Sequence, residues 1–297
     1  MKAWISSILV TLLLAVSAVL LAQAPQQQAG ATLTIIPIKP DLYLIMGRGA
    51  NATLRITNDG LIVGDTKNGG GQNYSDLMAQ IRTVSDKPVK WVVVTNHRAD
   101  HSGNVGPFQD AGAKVVAHSN VNKNIDGLTS ANKPSKVNTT FSGEEYEISL
   151  GQVLAKVYHF GRATTDGDSF LYYPDLKVLH AGDTIVGGVP TVDYAANGNA
   201  VEWQKVLDKV SKLDIDIVVP GHPKNGATVM TRAEFLLYKT QWDRLITRAK
   251  DLVNRGTPKE QLFGLIPAEE LGWPLSHPGW NQPSLVNRFY LDLQADK

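Results

Sequence analysis

A cluster of side chains that could bind a metal ion follows the apolar run Trp91 to Val94. It reads Thr-Asn-His-Arg-Ala-Asp-His-Ser-Gly-Asn over residues 95–104 and places imidazole and carboxylate groups a few positions apart. The apolar run is typical of a strand buried on both faces, and open α/β sheets bind their ligands at the carboxyl ends of such strands. Imidazole and carboxylate groups are ligands for divalent metal ions. The sequence therefore indicates a metal or ligand site at this edge of a sheet.

The order of residues in this cluster resembles the signature of the metallo-β-lactamase superfamily. In that family a strand is followed by Thr-His-x-His-x-Asp-His-x-Gly, in which the leading histidines bind one metal ion and the Asp-His pair binds a second. Asp100, His101 and Gly103 match the second half of this signature. Asn96 and Arg98 stand where the family has its leading histidines. The resemblance therefore implies that part of a dinuclear site is changed.

Three later segments resemble the remaining motifs of that family, in the family's order. The loop 161–168 is similar to Gly-x-x-His-Thr-x-Gly, but Thr164 replaces the third histidine of the first metal. The segment 178–183 resembles the strand that ends in Gly-Asp, and the carboxylate of Asp183 would bridge the two metals in a dinuclear member. The segment 217–222 resembles the final motif, an apolar strand ending in Gly-His, whose histidine binds the second metal.

The departures from the family pattern all fall on one of the two metal positions. The residues that replace the three first-site histidines are Asn96, Arg98 and Thr164. The residues that preserve the second site are Asp100, His101, Asp183 and His222. The resemblance therefore implies one bound metal ion, taken here as Zn(II), although the same oxygen-rich ligand set also suits Fe(II) or Mn(II).

The resemblance also implies a hydrolase. A divalent metal lowers the pKa of a water from about 15.7 toward roughly 7 and so supplies a nucleophile at neutral pH. Asp100 would bind the metal and orient that water, while Asn96 or Arg98 would polarise the scissile carbonyl of a small amide, lactam or ester. Arg98 is further expected to occupy the first-metal position and to neutralise Asp183 or Asp100 through a bidentate pair of hydrogen bonds.

An inactive relative that binds a small molecule in the remnant cleft is the alternative function. In that case Arg98 and Asp183 would form a buried ion pair in a scaffold that has lost its metal. Redox chemistry at a di-iron centre is disfavoured, because the first-site histidines and a flavin domain are missing. His97 is not counted as a ligand, and His118 and His180, each on an apolar strand, are interpreted as core residues or as supports for ligands.

Composition excludes several other classes of function. The chain has 29 Lys and Arg against 28 Asp and Glu, a net charge of +1, so no basic surface for nucleic acid is expected. It contains no cysteine, which excludes disulfides, a thiolate nucleophile and cysteine-bound zinc. A small-molecule substrate is therefore the expected partner.

The N-terminal segment indicates export. Residues 1–24 combine an early lysine, a long apolar run and an Ala-Gln-Ala cleavage pattern, and residues 25–31 read as a polar linker. We expect a periplasmic or secreted protein. The apolar run is also long enough to span a bilayer, so an uncleaved membrane anchor is the alternative, and this segment would be the sole contact with a membrane.

The remaining residues, 32–297, are expected to form one α/β domain with additional C-terminal helices. Four short strands resemble a meander, further strands surround the motifs, and helical patterns cover 73–85, 201–213 and 231–255. This order resembles the four-layer αβ/βα sandwich of the metallo-β-lactamase type, with the site at one edge between two sheets. The aromatic and proline-rich segment 273–280 is expected to pack against the surface of the domain, and the wall of a pocket is the alternative.

Overall fold

The computed structural model describes residues 32–224 and 227–296. The expected signal or anchor (1–24) and linker (25–31) therefore lie outside the described residues. In the part of the chain that is described, no helix is both long and apolar enough to cross a membrane.

The first sheet has seven strands in sequence order. Its strands are β1 Thr34–Lys39, β2 Leu42–Met46, β3 Ala52–Ile56, β4 Leu61–Gly64, β5 Val89–Val93, β6 Lys114–His118 and β7 Thr139–Phe141. Strands β1 to β4 pair antiparallel, which confirms the predicted meander, and β4 to β7 pair parallel. The parallel half directs the carboxyl ends of β4, β5 and β6 to one edge, where the metal-type residues begin.

The second sheet has six strands in the order β13-β12-β11-β10-β9-β8. Its strands are β8 Glu145–Leu150, β9 Val153–Tyr158, β10 Phe170–Tyr173, β11 Val178–His180, β12 Ile217–Val219 and β13 Met230–Thr231. Only β11 and β12 pair parallel among these described strands. These two strands carry the Gly-Asp and Gly-His motifs at their carboxyl ends, so the motifs lie side by side.

The helices cover the outer faces of both sheets. The helices of the described ranges are α1 Gly71–Arg82, α2 Ala99–Ser102, α3 Val105–Asp110, α4 Ser119–Gly127, α5 Ala200–Ser211, α6 Arg232–Asn254, α7 Lys259–Leu262, α8 Ala268–Leu271 and α9 Pro283–Ala295. Local sequence signals explain the longest of them. Helix α6 begins with a capping box between Thr231 and Glu234, and Asn199 caps α5 by accepting from two backbone N–H groups.

Strand alternation divides the core into three layers of apolar packing. On β10, Leu171 and Tyr173 face the first sheet, whereas Phe170 and Tyr172 face helices α5 and α6. Another apolar layer joins the first sheet to α1, α3 and α4. Helix, sheet, sheet and helix therefore follow one another across the molecule, which confirms the expected four-layer αβ/βα sandwich of the metallo-β-lactamase type.

Candidate metal centre

The candidate site forms where the loops after β5, β11 and β12 meet. Two glycines allow the close approach that this requires. A Cβ atom on Gly182 would lie 2.4 Å from the Thr95 hydroxyl oxygen, and one on Gly221 would lie 2.6 Å from the carbonyl carbon of Gly182. The backbone N–H of Gly221 donates to the carbonyl of Gly182 at 2.7 Å. These contacts bring the residues after the two glycines, Asp183 and His222, to the same edge.

Asp100, His101 and His222 form a group that could hold a metal ion. Each offers one ligand atom, and these atoms all lie within 4.8 Å of one another. His222 Nε2 is 3.0 Å from Asp100 Oδ2, and His101 Nε2 is 4.0 Å from Asp100 Oδ1. His101 is fully buried, whereas the other two side chains are partly exposed. The group therefore has a buried base and a face that solvent or a ligand can reach.

Asp183 lies directly beside this group and uses its two oxygens differently. Oδ1 is 2.8 Å from His222 Nδ1 and 3.1 Å from His101 Nε2. Oδ2 accepts a hydrogen bond from Arg98 Nη1 at 2.7 Å. Of the four residues that the sequence analysis assigned to one metal, three therefore form a common ligand group. Asp183 lies beside them, on the Nδ1 side of His222, and also pairs with Arg98.

The orientation of His101 shows that a cation fits here. Its Nδ1 donates to Asp65 Oδ2 at 2.7 Å, so a neutral ring presents a lone pair at Nε2. That buried Nε2 makes no hydrogen bond, although Asp183 Oδ1 is only 3.1 Å away. Two buried acceptors at this distance repel each other unless a proton or a metal ion lies between them. The donor set and the unpaired nitrogen therefore suit a divalent metal.

The electrostatics of these side chains also favour a cation at this site. Burial disfavours the charged form of His101, but the carboxylates of Asp183 and Asp65 outweigh it and raise the His101 pKa well above its usual range. Burial also opposes protonation of His222, yet Asp183 and Asp100 raise its pKa to about 9. Both imidazoles therefore lie among carboxylates that favour a positive charge at this position.

Asp65 is a functional residue that the sequence analysis missed. Besides His101 it accepts from the backbone N–H of Thr95 at 2.8 Å, from the Thr95 hydroxyl, and from His180 Nε2 at 3.0 Å. Burial raises the pKa of Asp65, but His101 and His180 lower this pKa by more than burial raises it. The Asp65 carboxylate therefore stays charged. A carboxylate directly after the apolar strand β4 was the available signal. Asp65 fixes the ring of His101, and His180 takes the supporting position expected of it.

The three residues at the first-site positions form one connected group around Asp183. Asn96 Oδ1 accepts from the backbone N–H of Arg98 at 2.9 Å, and the Thr164 hydroxyl donates to the carbonyl of Asp183 at 3.2 Å. Arg98 pairs with Asp183 as expected. The expected bidentate geometry is wrong, because only Nη1 donates to Asp183, while Nη2 points toward Asp193 Oδ2 at 3.9 Å.

Asn96 lies deeper than its expected role requires. It is 1% exposed and is not among the residues that line the adjoining cavity. Its contact with the Arg98 backbone makes it a support for that arginine, so Arg98 is left as the group that can reach a substrate carbonyl. His97 lies outside the ligand group, and His118 is a buried residue stacked on His159 with ring centroids 3.7 Å apart.

A cavity of about 1020 Å³ opens onto the site. Arg98, Asp100, Asp183, Asp193 and His222 supply charged or titratable groups at its wall. The remaining lining comes from the loop after Asp183 and from a C-terminal segment that includes residues 277–279. The segment 273–280 thus packs through buried tryptophans, as expected, and its other residues also wall the cavity.

Curated relatives of this chain carry out different reactions. It is 26% identical over 226 residues to the 2,4-dinitroanisole O-demethylase subunit alpha of Nocardioides sp. (strain JS1661), a match that covers 76% of this chain and 67% of that subunit. It is 24% identical over 217 residues to a linear primary-alkylsulfatase of Pseudomonas sp. (strain ATCC 19151), which covers 57% of this chain. The chain spans only 40% of the alkylsulfatase.

Solved structures of low sequence identity share the fold. A double mutant of the sec-alkyl sulfatase PisA1 superposes with a TM-score of 0.66 at 16% identity, covering 89% of this chain and 50% of that one. The metallo-beta-lactamase FIM-1 of Pseudomonas aeruginosa, in its mono-zinc form, gives 0.60 at 17% identity, covering 72% and 96%. A family model of the metallo-beta-lactamase superfamily matches residues 46–222, which include every motif of the site. The chain therefore belongs to the metallo-beta-lactamase superfamily.

Proposed function

We propose that this protein is a hydrolase that uses one divalent metal ion, zinc in the first instance, and that Arg98 serves as the second cation. Asp100, His101, His222 and Asp183 Oδ1 would hold the metal. The expected substrates are amides, lactams or esters with an electrophilic carbonyl group.

The two oxygens of the Asp183 carboxylate have different partners, and this is the observation that carries the proposal. One oxygen faces the two histidines, and the other accepts a hydrogen bond from Arg98. A carboxylate placed in this way can join two cations, and here one of them is a guanidinium that is charged at any physiological pH. The arrangement supports one metal ion rather than two.

The metal would supply a water of lowered pKa as the nucleophile. Asp100 lies at the cavity wall and can accept a hydrogen bond from the attacking water, which directs a lone pair toward the substrate. Arg98 is 27% exposed at the same wall and carries N–H groups in addition to the one that binds Asp183. Those groups can donate to the substrate oxygen as it gains negative charge. Asp65 keeps His101 oriented throughout the reaction.

The reactions named for the relatives broaden the set of substrates to be tested. One relative is named for removing the methyl group of an aryl ether, and the other for an alkyl sulfate. Because one scaffold supports unlike chemistries, the substrate must come from assays rather than from the fold. The panel should therefore contain a chromogenic β-lactam, nitrophenyl esters, an alkyl sulfate and a nitroaryl methyl ether.

Metal content and turnover of the purified protein test the proposal together. We expect close to one zinc per chain by elemental analysis and hydrolysis of at least one member of the panel. Asp100→Ala should abolish turnover and weaken zinc binding, whereas Asp86→Ala, at an exposed carboxylate, should change neither. Protein that binds no metal after growth in supplemented medium and hydrolyses nothing would instead be the inactive small-molecule binder.

A further inference from the structure

The cavity beside the candidate site is charged at one end, whereas most of its remaining wall is apolar. Resting on the proposed function, we infer that this cavity binds a medium-length alkyl chain of the substrate. The preferred substrates are then amphiphiles whose cleavable polar group meets Arg98 and the metal while the apolar chain fills the cavity. This narrows the substrate class beyond small amides, lactams or esters.

Apolar side chains from two parts of the molecule line the cavity. The loop after Asp183 contributes Val186, Val189 and Val192, and the C-terminal segment contributes Pro278 and Leu285. A volume of about 1020 Å³ lies at the upper end of the range for sites that hold drug-sized ligands, about 300–1,000 Å³. A small amide alone would leave most of this apolar surface in contact with water.

The two walls are fixed to each other, so the cavity exists before any ligand binds. Trp280 is completely buried, and its Nε1 donates to the carbonyl of Pro190 at 2.6 Å. Gly279 lies so close to the opposite loop that an added Cβ would sit 2.5 Å from Thr191 Cγ2. A rigid, preformed cavity does not lose affinity to ordering on binding, and apolar contacts in it count toward affinity.

The charged groups of the cavity lie together with the candidate metal centre. The contacts of Asp193 keep its charge away from the rest of the cavity wall. Its Oδ1 accepts from the backbone N–H groups of Ala195 and Ala196, each at 3.1 Å, and its Oδ2 faces Arg98. Its charge is thus directed to the loop and to the arginine. One end of the cavity suits a polar head group. The rest has a lining that is apolar for the most part and suits a chain, although it also contains the polar residues Thr191, Tyr194, His277, Gln282 and Ser284.

A homologous series of alkylphosphonates tests the inference without requiring turnover. Methyl-, butyl- and octylphosphonate, below their micelle concentrations, are titrated calorimetrically into the zinc-loaded protein and again after chelation of the metal. Each buried methylene is expected to tighten binding up to about fourfold, which corresponds to ~0.8 kcal/mol. We expect octylphosphonate to bind at least ~30-fold more tightly than butylphosphonate, with or without zinc.

Two substitutions by tryptophan test whether the preference for the octyl chain arises in the cavity. Ala195 is exposed and lines the cavity, so Ala195→Trp should fill the space and reduce the octyl-to-butyl ratio to below about 5. Ala79→Trp, at an exposed alanine of α1, should leave the ratio unchanged. A ratio near one in the parent protein, or equal ratios in the parent and Ala195→Trp, would overturn the inference.

The same titrations keep this inference apart from the proposed function. Binding of methylphosphonate that disappears on chelation reports on the metal and Arg98, whereas the octyl-to-butyl ratio reports on the cavity. A protein that hydrolyses nothing can still bind octylphosphonate much more tightly than butylphosphonate. An active hydrolase without chain preference would bind the two with similar affinity.

Discussion

At the scale of single residues, Arg98 differs from a metal ion in what it can do. A guanidinium carries one charge and donates from a flat fork, but it cannot lower the pKa of a bound water as a divalent ion does. Under the proposed function, replacing the first-site ligands changes that position from activating water to orienting substrate. The partial exposure of Arg98 at the cavity wall leaves N–H groups that a ligand in the cavity can reach.

Arg98→Ala is expected to lower turnover without removing the metal. Loss of one donor to a developing oxyanion typically reduces kcat by about 100-fold, equivalent to ~3 kcal/mol. Zinc content should stay near that of the parent protein, because the histidines and Asp100 remain. Parallel measurement of kcat and of zinc per chain checks both parts, with Arg82→Ala on the exposed surface of α1 as the matched control. Unchanged kcat would remove Arg98 from the mechanism.

The residues that the sequence could identify are those in continuous motifs. Asp100, His101, Asp183 and His222 were assigned because the segments that carry them resemble the motifs of the metallo-β-lactamase superfamily. Asp65 and Asp193 carry no such signature, and what they contact depends on how distant loops pack.

At the scale of elements, the loop between β9 and β10 shows how a buried carboxyl group holds a segment of the site. Asp168 accepts from the backbone N–H of Thr165 at 2.8 Å and from its hydroxyl at 2.7 Å. This closes the turn that carries Thr164 toward Asp183. Burial nevertheless dominates the titration and raises the pKa of Asp168 to about 7, against the opposing hydrogen bonds from Thr165.

The stability of the fold should therefore depend on pH through Asp168. The unfolded carboxyl group ionises near pH 4, so the folded state binds more protons between about pH 4 and 7, and stability falls as pH rises through that window. Asp168→Asn removes this titration and keeps an oxygen acceptor for Thr165. From pH 5 to pH 8 the variant should gain about 2–3 kcal/mol relative to the parent, as an upper limit.

Urea unfolding of the parent and Asp168→Asn at both pH values measures this gain. Taking the difference between the two proteins cancels the titration of all other groups. A free-energy difference that is the same at pH 5 and pH 8 would show that Asp168 is ionised in the folded state at both.

Periodicity predicted most elements, and the exceptions have physical reasons. Helices α5 and α6 begin and end within two residues of the predicted helical patterns 201–213 and 231–255. Strand β7 was missed because its residues, Thr-Thr-Phe, form no apolar run and the strand depends on pairing with β6. Helix α9 was missed although its buried residues repeat every four positions, because the preceding proline-rich segment suggested a loop.

At the scale of the whole molecule, the residues beyond the family match complete the structure around the site. Helix α6 packs on α5, where Trp203 and Trp242 lie with ring centroids 4.2 Å apart. Trp273 and Trp280 extend this aromatic contact, and Trp280 also binds the loop that walls the cavity. Helix α6 was predicted, but the contact that joins the C-terminal segment to the cavity loop could not be, since Trp280 and Pro190 are 90 residues apart along the chain.

Trp280→Phe should weaken this connection. It removes the hydrogen bond to Pro190 and part of a buried ring, for which about 1–3 kcal/mol of unfolding free energy is typical. The octyl-to-butyl ratio should fall as well, because the two walls are no longer joined. Trp91→Phe, at a half-buried tryptophan on β5, is the control and should leave the ratio unchanged. A variant with parental stability and ratio would contradict this account of the C-terminal segment.

The pairing of Arg98 with Asp183 has a consequence for how the protein would acquire its cofactor. Under the proposed function, one of the two positive centres is encoded in the polypeptide and is in place as soon as the chain folds, so supply of a scarce ion limits only the other. Loading would follow a simple saturation curve with a single midpoint, and partial starvation would leave a mixture of full and empty molecules with no half-filled form.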